Sequence, residues 1–250
     1  MSGLEALAIF AAGIVAGTIN TVVGSGTLFT FPVLLGFGYA PVVANVSNTV
    51  GLVPGSATGA LGYRRELSGQ RRRVVVLAVA SVSGGIVGAV LLLSLPASAF
   101  KAIVPVFIAI ALILILLQPR LSAWLSERRP QGRELAGPWA TVGVFAGGIY
   151  GGYFGAAQGI LLLALLTLSL DDDLQRLNAV KVVLTGLVNL VSGLVFVFAA
   201  HVAWAPAGLI AAGSMLGGVL GARVGRRLPP TVLRAVIVVV GVAAIVRLVG

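Results

Sequence analysis

Residues 178–200 read NAVKVVLTGLVNLVSGLVFVFAA, an apolar stretch that polar residues interrupt at regular intervals. Spacings of 3, 4, 4 and 3 separate five of them: Asn178, Lys181, Thr185, Asn189 and Ser192. Because an α-helix turns about 100° per residue, the five side chains fall within one arc about 80° wide. The stretch therefore predicts a helix with a single polar face, and that face carries a lysine.

The composition indicates that the solvent around this helix is lipid. The chain is 58% apolar and only 10% charged, and its mean hydropathy is +1.09. A helix needs about 20 apolar residues to cross the hydrocarbon core of a bilayer. Runs of about that length recur at Val74–Leu95, Phe100–Leu117, Ala179–Ala200, Trp204–Ala222 and Thr231–Val249. We therefore expect an all-α, polytopic integral membrane protein, in which a lysine inside a span needs a partner or a function.

The net charge of +10 comes mainly from arginines in three intervals between apolar runs, 64–73, 118–137 and 223–227. The positive-inside rule places such intervals in the cytoplasm, so we expect a multi-pass protein of the cytoplasmic (inner) membrane with both termini outside. Aromatic residues that would stack bases do not interleave with these arginines, which argues against a nucleic-acid partner. The chain has no cysteine and one histidine. It offers no catalytic constellation, so we expect neither an enzyme nor a cofactor.

An internal duplication divides the chain. The segment Phe10-Ala11-x-Gly13-Ile14-x-x-Gly17 matches Phe145-Ala146-x-Gly148-Ile149-x-x-Gly152 at an offset of 135 residues. Further on, Gly84-Gly85-x-x-Gly88-Ala89 matches Gly217-Gly218-x-x-Gly221-Ala222 at an offset of 133. The arginine intervals put matched connections on opposite sides of the membrane. The sequence thus predicts one transmembrane domain, 1–250, made of two inverted repeats, 4–117 and 138–250, joined by a basic linker, 118–137. Such repeats are typical of secondary transporters.

Each repeat opens with an apolar segment that glycines interrupt, at Gly24-Ser25-Gly26-Thr27 and at Gly155-Ala156-Ala157-Gln158-Gly159. A helix over 28–38 is only about 16 Å long and cannot cross the hydrocarbon core. We therefore expect each repeat to be a glycine-broken helical hairpin, spanning or re-entrant, plus three spans, with 8–10 membrane helices in all. The helix N-termini after the breaks suit an anion.

This layout resembles the sulfite exporter TauE/SafE family, also described as the TSUP permeases, over about residues 8–248. The resemblance rests on the repeat layout and on the openings Gly13-x-x-x-Gly17…Gly24 and Gly148-x-x-x-Gly152…Gly159. Family members often carry three consecutive glycines after the first helix, where this chain has Gly24-Ser25-Gly26. The resemblance implies export or uptake of sulfite or small organosulfonates across the cytoplasmic membrane, and it leaves the particular substrate open.

Repeat one carries a second polar face, within an arc of about 100°, formed by Asn45, Asn48, Thr49 and Ser56. We expect the two faces to enclose a cavity for a small anion, with Lys181 supplying charge and the other polar groups supplying hydrogen bonds. Gln158 and Ser25 at the hairpin tips are additional donors, and Asn20 and Thr18 line the approach. The expected partners are this anion and the bilayer, and the sequence leaves open whether the chain forms a homo-oligomer.

Other interpretations stay open at this point. Asn, Ser and Thr also serve as hydrogen-bonding glue between membrane helices, and Lys181 can instead reach the cytoplasmic interface. The triplet Asp171-Asp172-Asp173 is typical of a solvated turn and a helix start rather than of a metal site. For the whole protein, the alternatives to an anion transporter are a cation-coupled carrier of another small solute and a non-transporting membrane subunit.

Overall fold

The structure, a computed structural model, describes residues 1–127 and 137–224 together with positions 238, 239 and 242. These residues are helical wherever they form regular structure, which confirms the all-α expectation. Most of the expected run Thr231–Val249 lies outside the described residues. The described helices are α1 (Gly3–Val22), α2 (Thr27–Gly36), α3 (Pro41–Gly62), α4 (Arg71–Ser94), α5 (Ala97–Glu127), α6 (Pro138–Tyr153), α7 (Gln158–Ser169), α8 (Leu174–Ala199) and α9 (Trp204–Val224).

Five of the described helices, α1, α4, α5, α8 and α9, are long and apolar enough to cross a bilayer. Helix α3 has 22 residues, a comparable length, but its polar residues make it less apolar. The chain is therefore a multi-pass membrane protein. Residues 118–127, which we expected to begin a loop, instead continue α5 through Pro119. A helix satisfies its own backbone polar groups in an apolar setting, and this favours continuation past a proline.

Both glycine-broken hairpins form at the expected places. Helix α1 ends at Val22 and α2 begins at Thr27, while α6 ends at Tyr153 and α7 begins at Gln158. Helices α2 and α7 have 10 and 12 residues, about 15 and 18 Å, so neither crosses the hydrocarbon core alone. The Tyr39 hydroxyl donates to a Glu5 carboxylate oxygen at 2.9 Å. The first hairpin therefore returns to the end of the molecule at which α1 begins.

The opposite end of the molecule collects the arginines and is called the arginine-rich end below. Arg73, in the first turn of α4, pairs with Asp172 just before α8, and Arg176 donates to the Ser68 carbonyl. Arg64 lies just after α3, and Arg223 lies in the last turn of α9. Both line one cleft at this end. Helices α3 and α9 therefore run toward the arginine-rich end, and α4 and α8 run away from it.

Two glycine seams hold the helices together. Gly213 and Gly217 of α9 lie against α1, and a Cβ atom at Gly217 would be 2.1 Å from the Ile14 carbonyl oxygen. Gly84 and Gly88 of α4 lie against α6, and a Cβ atom at Gly88 would be 2.1 Å from the Ile149 carbonyl oxygen. In each seam the two helices run the same way along the membrane normal. Small residues let membrane helices approach this closely.

The seams correct the register of the duplication. A Cβ atom at Gly84 would meet Phe145, Gly148 and Ile149, and one at Gly213 would meet the matched residues Phe10, Gly13 and Ile14. Gly84 therefore corresponds to Gly213, at an offset of 129, and not to Gly217 at 133. The glycine pattern repeats at nearly one-turn intervals, so aligning glycines alone misplaces this helix by one turn.

The seams also divide most of the bundle into two units. Helices α1, α2, α3 and α9 pack on one another as the first unit, and α4, α6, α7 and α8 pack on one another as the second. Each unit therefore combines helices from both halves of the sequence. The units meet mainly where α3 faces α8. Helix α5 packs against the hairpins through Phe100 and Phe107, which contact the rings of Tyr153 and Phe154.

Candidate functional site

The tips of the two hairpins meet in the interior of the protein. The main-chain N–H of Gly159 donates to the Gly24 carbonyl at 3.0 Å, and Gly24 adopts φ +84°. A Cβ atom at Gly159 would lie 2.4 Å from the Gly24 Cα atom, so only glycine allows this contact. The N-termini of α2 and α7 therefore lie close together at the boundary between the two units.

Neither of these N-termini carries a side-chain cap. The residue before α2 is Gly26, and the residue before α7 is Ala157, which adopts φ +60°; neither gives a side-chain hydrogen bond to its helix. The first N–H groups of a helix and its dipole give the N-terminus a partial positive charge. Main-chain carbonyls already accept most of the first-turn N–H groups, among them those of Leu28, Gln158 and Gly159. The two ends therefore add their positive dipole ends, rather than free donors, to this region.

Lys181 is fully buried beside these tips. Its ammonium donates to the main-chain carbonyls of Asn20 and Thr21, each at 3.3 Å, at the C-terminal end of α1. A Cβ atom at Gly159 would lie 2.9 Å from the Lys181 Cδ atom. The lysine thus joins the second unit to the first and offsets the negative end of α1. Its complete burial contradicts the alternative in which it reaches the cytoplasmic interface.

Two of the three ammonium donors have partners in the described chain. An ammonium group has three N–H donors, and the structure gives partners within the described chain to two of them. The positive charge has no carboxylate partner among the described residues. Lys181 is therefore a buried structural contact between the two units, and no described carboxylate pairs with it.

The two predicted tip donors differ. Ser25 Oγ is fully buried and has no hydrogen-bond partner in the described part of the chain. Gln158 Nε2 donates to the Gly147 carbonyl at 3.1 Å, and the Gln158 side chain fills the space beside Gly151. Gln158 therefore braces its own hairpin, and Ser25 is the tip hydroxyl that a ligand would satisfy.

Asn20 links the tip to α3. Its side-chain amide donates to Ser56 Oγ at 3.3 Å, and Ser56 donates to the Leu52 carbonyl at 3.0 Å. On the other side, a Cβ atom at Gly186 of α8 would be 3.0 Å from Ser56 Cβ. Asn20 and Ser56 therefore lie at the boundary between the units, near Lys181.

The rest of the α3 polar face contacts hairpin elements. Asn48 donates to Thr27 Oγ1 at 3.2 Å and accepts a short hydrogen bond from the Thr30 hydroxyl. Asn45 donates to the Tyr153 carbonyl at 3.0 Å, while its side-chain oxygen is buried without a partner among the described residues. The Thr49 hydroxyl donates to the Asn45 carbonyl at 2.9 Å. This face thus anchors the start of α2 and the end of α6.

The α8 stripe is also divided among different neighbours. The Thr185 hydroxyl donates to the Lys181 carbonyl, and Ser192 donates to the Gly85 carbonyl of α4 at 3.2 Å. Asn178 has a buried side-chain oxygen without a partner in the described chain, and Asn189 is half-buried. Only Lys181 reaches the hairpin tips through a hydrogen bond.

A small groove lies between the two helices that carry the polar faces. Between α3 and α8 the structure has a groove of about 170 Å³, lined mainly by apolar residues and reaching Ser56. Thr18, expected on the approach, instead donates to the Gly217 carbonyl of α9 at 3.1 Å. The α3 face turns toward the hairpins because its hydrogen-bond partners lie there, whereas on α8 only Lys181 does so.

The sequence patterns did not predict several residues that contribute to these contacts. Thr21, Thr27 and Thr30 supply main-chain or hydroxyl partners to Lys181 and Asn48. Thr27 and Thr30 lie three residues apart just after a glycine break, a signal for a polar first turn. Asp172 was expected only as a charge in a turn, yet it pairs with Arg73 at 2.6 Å and with Arg176 at 2.8 Å. Asp173 does cap the start of α8 as expected.

Comparison with known proteins identifies the family of this chain. The family model described as sulfite exporter TauE/SafE matches residues 9–248. A probable membrane transporter protein of Haemophilus influenzae is 30% identical over 95% of this chain and 92% of its own length. The probable membrane transporter protein YfcA of Escherichia coli is 28% identical over 93% and 85%, and one from a Sinorhizobium species is 27% identical over 96% and 90%. The chain belongs to the sulfite exporter TauE/SafE family and is a membrane transporter.

Proposed function

We propose that this transporter is a secondary carrier for a small sulfur oxyanion or organosulfonate, of which sulfite is the simplest. The observation that carries the proposal is the meeting of Lys181, the unpartnered Ser25 hydroxyl and the dipole ends of two helices that have no side-chain cap. A sulfite or sulfonate group offers three acceptor oxygens to such donors. The family to which the chain belongs supports the same substrate class.

The division into two units supports a mechanism of alternating access. The contacts between Gly24 and Gly159, between Asn20 and Lys181, and between Asn45 and Tyr153 all join the first unit to the second. A ligand bound at the tips therefore contacts both units at once. The glycine seams support movement of each unit as a body, because close packing resists deformation within a unit. The opposite directions of α1 and α6 support the proposed inverted relation of the halves.

The proposed orientation puts the arginine-rich end in the cytoplasm of a cell whose inner membrane holds the protein. Because the chain has no cysteine, a single introduced cysteine shows from which side of the membrane its end of the molecule is accessible. We expect Ser68→Cys, at the arginine-rich end, to react with an impermeant maleimide only in inside-out vesicles. Ser98→Cys, at the start of α5, should react only in intact cells or right-side-out vesicles, and the reverse pattern would invert the assignment.

Flux into proteoliposomes tests the substrate. Sulfite, a small organosulfonate, thiosulfate and Na⁺ should be compared with the purified wild-type protein and with empty liposomes. We expect saturable flux of sulfite or the sulfonate. Coupled movement of Na⁺ with another solute would support the cation-coupled carrier, and no flux of any solute would support the non-transporting subunit.

The site itself is tested by Ser25→Ala. A hydrogen bond to a charged ligand contributes about 1.5–3 kcal/mol, so we expect substrate affinity to fall by about tenfold or more. Ser98→Ala, at an exposed serine in the first turn of α5, is the matched control and should transport as the wild type does. Equal substrate affinities for both variants and the wild type would show that Ser25 does not bind the substrate.

A further inference from the structure

A second cleft lies at the arginine-rich end, away from the hairpin tips. Its volume is about 590 Å³, and it forms where the ends of α3 and α9 meet. The ends touch because position 62 is a glycine, at which a Cβ atom would be 2.2 Å from Ala222 Cβ. The lining residues are Thr58, Leu61, Gly62, Arg64, Arg65, Glu66, Val219, Ala222 and Arg223.

The charge of this cleft is positive and uncompensated. Three guanidinium groups, those of Arg64, Arg65 and Arg223, face one carboxylate, that of Glu66. Among the described residues, none of the three arginines forms an ion pair. The neighbouring cleft differs, because there Arg73 and Arg176 are both held by Asp172. No described carboxylate neutralises these three arginines through an ion pair, so the cleft between α3 and α9 attracts an anion.

The other wall of the cleft is apolar and continues onto the lipid-facing surface. Leu61 is 68% exposed, and Val219 and Ala222 lie beside it on α9. A free inorganic anion gains nothing from such a wall. A ligand with a charged head and an aliphatic tail uses both sides, since the arginines hold its head and the apolar wall removes its chain from water.

We propose that this cleft binds one anionic phospholipid, with its phosphate on Arg64, Arg65 and Arg223 and the beginning of an acyl chain along Leu61 and Val219. The position fits this occupant, because the ends of membrane helices lie at the depth of the lipid headgroups. Basic pockets between membrane helices hold such headgroups elsewhere by the same charge complementarity. This proposal does not depend on the transported substrate.

Native mass spectrometry of the full-length protein tests the proposal. The protein is released from nanodiscs of phosphatidylcholine with or without a minor fraction of phosphatidylglycerol. We expect the wild type to retain one phosphatidylglycerol and no phosphatidylcholine. Arg64→Gln/Arg223→Gln should weaken retention about thirtyfold, the product of two arginine–headgroup interactions near the surface. The double variant Arg71→Gln/Arg72→Gln, with the same charge change at the same end, is the control and should retain the lipid.

Two further measurements keep the result decisive. Leu61→Asn leaves every arginine in place and should also weaken retention, whereas it would not affect binding of a headgroup alone. Soluble glycerol phosphate should fail to displace the lipid. Equal loss in the two arginine double variants, retention unchanged in both, or full displacement by glycerol phosphate would overturn the proposal. The melting temperature of each variant shows whether it is folded.

Discussion

The Gly159 N–H and the Gly24 carbonyl form a 3.0 Å hydrogen bond that joins the tips of the two hairpins, 135 residues apart in the chain. The two residues occupy matched positions of the predicted duplication, at its offset of 135 residues. Both hairpins end in irregular backbone, which is tolerated inside a membrane protein only where it is buried or lines a cavity. Here each tip buries the other.

Replacing Gly159 by alanine should separate the hairpin tips. The new Cβ atom would lie 2.4 Å from Gly24 Cα, which is backbone and cannot move aside alone. Overpacking of this kind costs about 1–3 kcal/mol, so we expect a clear drop in the melting temperature and impaired transport. Gly208→Ala is the matched control, because nothing lies within 4 Å of the added Cβ there. Equal melting temperatures for both variants would contradict the tip contact.

The two glycine seams should be equally sensitive. A Cβ atom would lie 2.1 Å from a carbonyl oxygen both at Gly88 and at Gly217. We expect Gly88→Ala and Gly217→Ala to lower the free energy of unfolding by similar amounts, about 1–3 kcal/mol, as measured by denaturant unfolding in detergent micelles. If the duplicated register were the one that glycine alignment suggests, Gly221→Ala would instead match Gly88→Ala. The Gly221 Cβ atom would be 2.9 Å from its nearest neighbour, so we expect a smaller loss there.

Lys181→Met should destabilise the protein as well as impair substrate binding. Methionine keeps much of the side-chain volume but leaves the carbonyls of Asn20 and Thr21 without the ammonium donor. A buried group left unsatisfied costs about 1–3 kcal/mol, so thermal unfolding should shift down even without substrate. Lys101→Met, the same change at an exposed lysine, is the control. A variant with wild-type stability but no substrate binding would show that the α1 contact contributes nothing.

Asn48→Ala should weaken the attachment of α2 to α3. Asn48 has hydrogen bonds with both Thr27 and Thr30, and all three side chains are buried. Hydrogen bonds between membrane helices average about 0.6 kcal/mol each, so we expect a loss of about 1 kcal/mol in the free energy of unfolding. Asn189→Ala, at a half-buried position of α8, should change it little. A larger loss of free energy of unfolding for Asn189→Ala than for Asn48→Ala would contradict this assignment.

The ion pairs of Asp172 predict a specific dependence of stability on pH. Burial raises the pKa of this carboxyl, but the hydrogen bond from Arg73, the Asp173 N–H and the charges of Arg176 and Arg73 outweigh it and hold the pKa below its usual 3.8. A lowered pKa stabilises the folded state fully above about pH 3.8, and this stabilisation is lost as the pH falls through the lowered value. The difference in melting temperature between wild type and Asp172→Asn should therefore shrink in strong acid. A constant difference at all pH values would rule out the carboxylate charge as its cause.

Local sequence patterns predicted much of the helical layout. The helix breaks at 24–27 and 155–159 were predicted correctly, because the glycines and the short apolar segments that follow them are local features of the sequence. The predicted end of α5 was wrong, because arginine and proline at 119–120 are typical of a loop, whereas the helix continues past them to Glu127. The polar faces of α3 and α8 were correctly predicted to be buried, yet their partners were not predicted. Hydrogen bonds such as that of Asn45 with Tyr153 join residues 108 positions apart.

The amino-acid sequence by itself determined that this protein is an α-helical membrane protein with a duplicated, glycine-broken opening, because hydropathy, helical period and chain length are local quantities. Only the tertiary structure decided that Gly84 corresponds to Gly213, that Lys181 contacts the end of α1, and that Ser25 is left without a partner. These contacts depend on the axial register of one packed helix relative to another. A shift of one turn preserves the small-residue pattern of a seam but changes which polar groups meet across it.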